Sequence, residues 1–450
     1  MAIRRISLSF DPHHPARIVA AAFAAAIAAA TVVLMTPAAS EAGQSTPFVT
    51  ALFTATSAVC VTGLVVVDTP THWSTLGELV ILAGMQVGGF GIMTFASLLG
   101  LLVSRRLGLR TRLLAQAETK ALQLGDVGRV LRGVAVTSLA IEAVVAVVLW
   151  LRLWLGYGET PGRAAYLGVF HSISAFNNGG FALWSDSMMR FSGDPWVIVP
   201  IALGVALGAL GFPVLLELYR EARTPHIWSL HTKITMLATG VLIPGGTIAL
   251  LVFEWANPET LGPMNAPTKL LNAFFHAVMP RSGGFNSVDV GAMTEPSWLV
   301  NDVLMFIGGG SAGTGGGIKL TTFTVLLFAI VAEARGDRDV HAFERRIPTA
   351  VIRQGLSVAL LAVAVVVVAT LTLLAMTGLD LDRVLFEVLS ASATVGLSTG
   401  ITPSLPPAAQ YLLVVLMFLG RTSTITLASA LALRDNRRLY RRPEERPIVG

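Results

Sequence analysis

The stretch 386–397 reads FEVLSASATVGL, and three earlier stretches share its frame: 53–64 FTATSAVCVTGL, 170–181 FHSISAFNNGGF and 274–285 FFHAVMPRSGGF. Aligned on their last glycine (Gly63, Gly180, Gly284 and Gly396), they are separated by 117, 104 and 112 residues. A phenylalanine stands ten residues before each glycine (Phe53, Phe170, Phe274, Phe386), and a large apolar residue follows it (Leu64, Phe181, Phe285, Leu397). A motif returning in the same frame at a similar period is the mark of an internal repeat.

Working outward, each motif closes a short apolar segment set between long ones. The long segments are 17–37, 74–103, 133–156, 195–218, 234–255, 297–330, 352–377 and 408–433. Each is long enough to cross a hydrocarbon core of about 30 Å as a helix. The short segments, 46–58, 164–175, 267–279 and 382–393, cannot span and read as re-entrant helices. Composition agrees. Of 450 residues, 54% are hydrophobic and 13% charged, against roughly 25% charged in soluble domains. Mean hydropathy is +0.69. A soluble fold could not hide that much apolar surface, which places the chain in a membrane.

The formal charge of +5 does not point to nucleic acid, because the basic residues gather at the ends of apolar spans. Of 32 Lys and Arg, 24 fall at one set of ends: the N-terminal tail, 105–132, 220–233, 335–353 and the tail after Leu433. Arg163, Arg190, Lys269 and Arg383 fall at the other. By the positive-inside rule both termini are cytoplasmic and the short segments enter from outside. Arg4 and Arg5 before the apolar run 18–35 resemble a signal peptide, but the run is longer than a usual signal core. The single cysteine, Cys60, permits no intramolecular disulfide, and no cysteine–histidine cluster reads as a zinc site.

Irregular backbone at membrane depth is tolerated where it lines a cavity or is buried in protein. Four glycine-bearing loops about one axis would form a ring of backbone carbonyls, which can replace the water shell of a cation. Glycine permits the backbone angles and keeps side chains out of the hole. The expected fold is therefore an all-α membrane protein. Four pseudo-symmetric helix–pore-helix–helix repeats, with eight transmembrane helices and four re-entrant pore loops, surround a central ion pore. The expected divisions are a tail at 1–16, repeats at 17–104, 133–219, 234–331 and 352–433, linkers at 105–132, 220–233 and 332–351, and a basic tail at 434–450. The filter candidates are Cys60, Val61, Thr62 and Gly63; Asn177, Asn178, Gly179 and Gly180; Arg281, Ser282, Gly283 and Gly284; and Ala393, Thr394, Val395 and Gly396.

The stretches SAVCVTGL, SAFNNGGF, RSGGFN, TVGLSTG and GTGGGIK resemble the Ktr/Trk/HKT superfamily of cation transporters, over about 17–433. The eight-span pattern resembles its KtrB-type branch, the membrane subunits of bacterial Ktr potassium uptake systems. The resemblance implies potassium selectivity from a glycine in all four loops, and a bacterial plasma-membrane location. It also implies a homodimer of two pores and a separate KtrA-type cytoplasmic ring that binds ATP, ADP or NAD-type nucleotides. The basic loops and tail are the expected docking surface. Sodium is a second candidate ion.

The run 308–317, GGGSAGTGGG, contains seven glycines, of which Gly308, Gly310 and Gly313 satisfy G-x-G-x-x-G. That fingerprint needs a strand–turn–helix setting, which is absent inside an apolar span. The resemblance instead implies a gate loop below the filter, from Gly308, Gly309, Gly310, Ser311, Gly313, Thr314, Gly315, Gly316 and Gly317, with Lys319 at its cytoplasmic end. It implies that Arg421, in the midst of a span, projects beneath the filter and helps hold the gate; an ion pair with Glu78 or Glu387 is the alternative. Arg281 is expected to tie its loop. Glu142 and Arg152 share a span and read as a packing pair or interfacial groups. His171 and His276 lie on short helices with no carboxylate placed to orient them, so no enzymatic chemistry is expected. A coupled secondary transporter and a non-conducting scaffold are the competing classes. Four parallel repeats disfavour the first, and the four glycines disfavour the second.

Overall fold

The structure, a computed structural model, describes residues 15–105 and 127–433. The expected tail 434–450, nearly all of 1–16 and most of the linker 105–132 lie outside them. The helices run long, short, long four times over. The opening helices are Pro15–Leu34, Val127–Tyr157, Leu230–Glu254 and Thr349–Thr377. The short helices are Phe48–Val59, Pro161–Phe176, Ala266–Val278 and Leu381–Ser392. The closing helices are Thr75–Arg105, Pro195–Leu210 with Phe212–Glu221, Glu295–Ile307 with Leu320–Arg335, and Pro407–Leu433. A small hairpin pairs His341–Ala342 with Arg345–Arg346.

Four described helices are long and apolar enough to cross a membrane: Thr75–Ser97, Val130–Tyr157, Leu230–Glu254 and Thr349–Thr377. Ile18–Leu34 and Pro407–Thr422 are apolar but shorter. Two closing segments, 195–218 and 297–330, are interrupted. In 195–218 the helix stops at Leu210 and restarts at Phe212, turned by 103°. Gly211 makes the corner at φ 93°, where only glycine avoids a steric penalty. A Cβ there would also lie 2.5 Å from the carbonyl oxygen of Ser311. Ending a helix orphans the carbonyls of its last turn, and the glycine run satisfies two of them. Gly310 N–H donates to Ala209 O at 2.8 Å and Thr314 N–H to Gly208 O at 3.1 Å. The second interruption is the glycine run itself, non-helical between Ile307 and Leu320.

The short helices form the centre of the core. Phe53, Phe170 and Phe386 are fully buried, as are the residues following the motif glycines, Leu64, Phe181, Phe285 and Leu397. In the third repeat the buried ring is Phe275 rather than Phe274. There the helix ends at Val278 and passes through a 3-10 turn, Met279–Arg281, containing Pro280. Three closing helices pass so near the ends of short helices that only glycine fits. A Cβ on Gly88, Gly208 or Gly420 would collide with the carbonyl oxygens of Val59, Phe176 and Ser392, respectively.

Candidate functional site: a ring of four glycine loops

The last residues of the short helices are Val59, Phe176, Val278 and Ser392, and the loops leave from these ends. Each loop takes the same path. The residue two before the motif glycine has a left-handed φ: Val61 53°, Asn178 62°, Ser282 83° and Thr394 49°. The glycines follow at 94°, 69°, 73° and 94°, while the residues between them stay outside that region. Alternating handedness turns successive carbonyls toward one side instead of alternating them as a strand would. Left-handed φ is uncommon outside glycine and a true outlier for β-branched Val61 and Thr394. Such strain persists where the surroundings over-determine it, typically at functional sites.

The four loops meet. A Cβ on Gly63 would lie 2.7 Å from Gly179 O, one on Gly180 3.3 Å from Gly283 O, and one on Gly284 2.8 Å from Val395 O; one on Gly396 would strike Thr62 O. In cyclic order, then, the carbonyl before one glycine lies against the glycine of the adjacent loop. Four short-helix C-termini precede this ring, and their partial negative charge favours a cation there.

Side chains fix the loops from behind. Ser57 and Ser390 accept the N–H of Gly63 at 3.0 Å and Gly396 at 3.1 Å. Ser174 donates to Phe181 O at 2.8 Å. His171 donates from Nδ1 to Leu167 O at 2.7 Å and accepts Leu183 N–H at Nε2, 3.1 Å. His276 Nε2 accepts Ser287 N–H at 3.2 Å. Glu387 accepts the hydroxyls of Ser398, at 3.0 Å, and Thr402. The two histidines thus clamp the chain where it leaves the loops. Cys60 caps the first short helix and is buried.

The segment 308–319 packs beneath the ring and touches three loops. Thr314 Oγ1 donates to Asn178 Oδ1 at 2.9 Å, and Gly316 N–H to Ser282 Oγ at 3.3 Å. A Cβ on Gly316 would collide with Thr394 Oγ1 and Ala393 O. Gly308 and Gly317, at φ 63° and 72°, open and close the segment, and Gly309 and Gly315 approach each other inside it. Ser311 bonds Thr321 at 2.8 Å. Ser282 Oγ also donates to Thr394 O, joining loops three and four. Asn178 Nδ2 donates to Arg281 O at 3.2 Å, joining loops two and three.

Arg281 is 3% exposed and reaches Thr239 Oγ1 at 3.4 Å. Arg421, 2% exposed, donates to Thr314 O. It pairs with neither named carboxylate: Glu78 accepts the Tyr166 hydroxyl at 2.5 Å, and Glu387 is occupied as above. Lys319 turns its ammonium back onto Gly315 O, so two cations hold adjacent carbonyls of the segment. Arg152 and Glu142 are not partners. Ten residues separate them by about 15 Å along a helix. Arg152 instead binds Asp194 at 2.7 Å, and Glu142 receives Gln86 and Asn177. Sequence reasoning missed Gln86 altogether. Its only signal was a lone amide in the apolar segment 74–103.

A family model described as TrkH, cation transport protein, matches residues 4–437. The chain is 37% identical over 436 residues to the Ktr system potassium uptake protein B of Bacillus subtilis (strain 168), covering 97% of each. It is 31% identical over 442 residues to the potassium/sodium uptake protein NtpJ of Enterococcus hirae, again covering 97% of each. The crystal structure of the potassium transporter TrkH from Vibrio parahaemolyticus aligns with a TM-score of 0.73 at 18% identity, covering 97% of this chain and 87% of that one.

Proposed function

Because the chain belongs to the TrkH family of cation transport proteins, we propose that its glycine ring is a potassium filter and the chain the ion-conducting subunit of a Ktr-type uptake system. The observation that carries this reading is the cyclic contact of the four loops, each glycine lying against the carbonyl that precedes the next loop's glycine. Carbonyl oxygens so placed can stand in for the hydration shell of a cation, as in potassium filters. The four-repeat architecture with eight spans and four re-entrant loops belongs to the same reading, as do cytoplasmic termini in a bacterial plasma membrane. An inside-negative potential supplies about 2.3 kcal/mol per charge per 100 mV for uptake.

The segment 308–319 is the gate in this proposal, held shut by Thr314, Lys319 and Arg421. Opening needs a force from outside the membrane, which a cytoplasmic nucleotide-binding ring of KtrA type would exert. The Ktr relatives, named as parts of a system, support a partner subunit, and a homodimer completes the proposed assembly. Sodium enters through the relative NtpJ, named for both potassium and sodium.

The test is potassium uptake in a bacterial host stripped of its own potassium systems. The intact chain should restore growth at low potassium, while Gly63→Ser and Gly284→Ser should lose potassium preference. An inserted, folded chain that moves no potassium, even with a KtrA-type partner, sinks the reading.

A further inference from the structure

Glu142 sits within the helix Val127–Tyr157 and is 4% exposed. Gln86 Nε2 lies 3.3 Å from each of its oxygens, and Asn177 Nδ2 lies 3.0 Å from Oε1. The same Asn177 amide reaches Gln86 Oε1 at 2.8 Å. The backbone carbonyl of Glu142 accepts the Ser172 hydroxyl. Two long helices and the end of the second short helix therefore meet at one carboxyl group.

Every contact to that carboxyl comes from an amide group, the kind of donor an ionised acid accepts. A second deeply buried glutamate, Glu254, is better wrapped. Glu254 takes Thr294 N–H, Thr294 Oγ1, Thr260 Oγ1 and Asn257 Nδ2. Glu142 has only two amides, and among the described residues no Lys, Arg or His lies within ion-pair distance. A charge at membrane depth without a partner is expensive and marks a functional group. Asn177 opens the loop that ends at Gly180, and its neighbour Asn178 ties that loop to Arg281 O and Thr314.

We propose that Glu142 is the fixed counter-charge of the ring, a positioning and specificity-determining residue that acts through Asn177 on the ion held by the loops. This rests on the filter reading above. With its field reaching the ring through protein rather than water, the carboxylate stabilises a bound cation, and its tie to Asn177 holds the second loop in its left-handed path.

Uptake kinetics in the same host decide it, with insertion followed by size-exclusion profiles of a fluorescently tagged chain. Wild type must first transport potassium; if it does not, the filter reading fails and this inference goes with it. Given transport, Glu142→Gln keeps the size and outline of the side chain but removes the charge. It should raise KM for potassium about tenfold, leave Vmax little changed and narrow the preference for potassium over sodium. The swap Gln86→Glu with Glu142→Gln returns a carboxylate to the same pair and should bring KM back toward wild type. A well-inserted Glu142→Gln with wild-type KM and selectivity overturns the proposal. Where Glu142→Gln does not insert, the swap decides: restored KM supports the proposal and a raised KM overturns it. Failure of both to insert gives Glu142 a folding role alone and equally overturns it.

Discussion

At the scale of residues, the ring depends on close backbone approach at its glycines and on left-handed φ at the residues two before them. Gly63, Gly180, Gly284 and Gly396 announce themselves, since one residue type recurs where a chain must pass close to other backbone. The left-handed Val61 and Thr394 do not, because β-branched side chains ordinarily oppose that conformation and local propensity argues against what the fold imposes. The clamps were also hidden. His171 and His276 drew notice for chemistry, whereas their partners, the amides of Leu183 and Ser287, come from folding the chain back on itself. Two predictions belong here. Gly63 and Gly158 both have left-handed φ, 94° and 72°, but a Cβ on Gly63 meets backbone at 2.7 Å while one on Gly158 meets nothing within 4 Å. Gly158→Ala should thus cost only the backbone penalty of about 1–2 kcal/mol and keep potassium preference, while Gly63→Ala, like Gly63→Ser, should lose it at equal membrane abundance. Equal potassium preference in both would break the link between close approach and function. His171→Phe keeps the ring but orphans the buried N–H of Leu183, a cost of about 1–3 kcal/mol. A thermal melt in detergent should fall by several degrees, and an unchanged melt would show that the clamp does not hold the loop exit.

At the scale of elements, a run of seven glycines was readable as a break because each glycine costs a helix about 1 kcal/mol. The corner at Gly211 was not, since one glycine within an apolar run is ordinarily tolerated. The corner exists for the glycine run: helix carbonyls freed at Gly208 and Ala209 take its amides, and Phe212 N–H donates back to Ala312 O at 3.4 Å. The two breaks are thus one feature that no local window contains. A consequence can be measured at Thr314, whose hydroxyl donates to Asn178 Oδ1 at 2.9 Å and ties the segment to the second loop. Thr314→Val keeps the shape and removes the bond, which contributes about 1 kcal/mol to the arrangement described here, a factor of about five in population. With the segment as gate, uptake at saturating potassium should rise severalfold without a partner subunit and with KM unchanged. A rate at or below wild type would mean that this hydroxyl does not hold the gate.

For the whole molecule, the sequence conveyed the long–short–long order of helices and their apolar character, because both are periodic or compositional. It did not convey the corner at Gly211, which depends on contacts between repeats. Orientation rests on the distribution of charge, with 24 of 32 basic residues on one set of ends, an asymmetry that fixes topology during insertion. Cys60, the sole cysteine, is fully buried, so the native chain should be silent to a membrane-impermeant maleimide and new cysteines can be read one at a time. Arg338, exposed beyond the helix Leu320–Arg335, lies on the side the charges assign to the cytoplasm. Glu259, exposed beyond the end of Leu230–Glu254, lies on the opposite side. In intact cells, Glu259→Cys should label and Arg338→Cys should not, until the membrane is permeabilised. The reverse pattern would invert the molecule, turn the short helices to enter from the cytoplasm and overturn the proposed direction of uptake together with any docking of a cytoplasmic ring on the basic face.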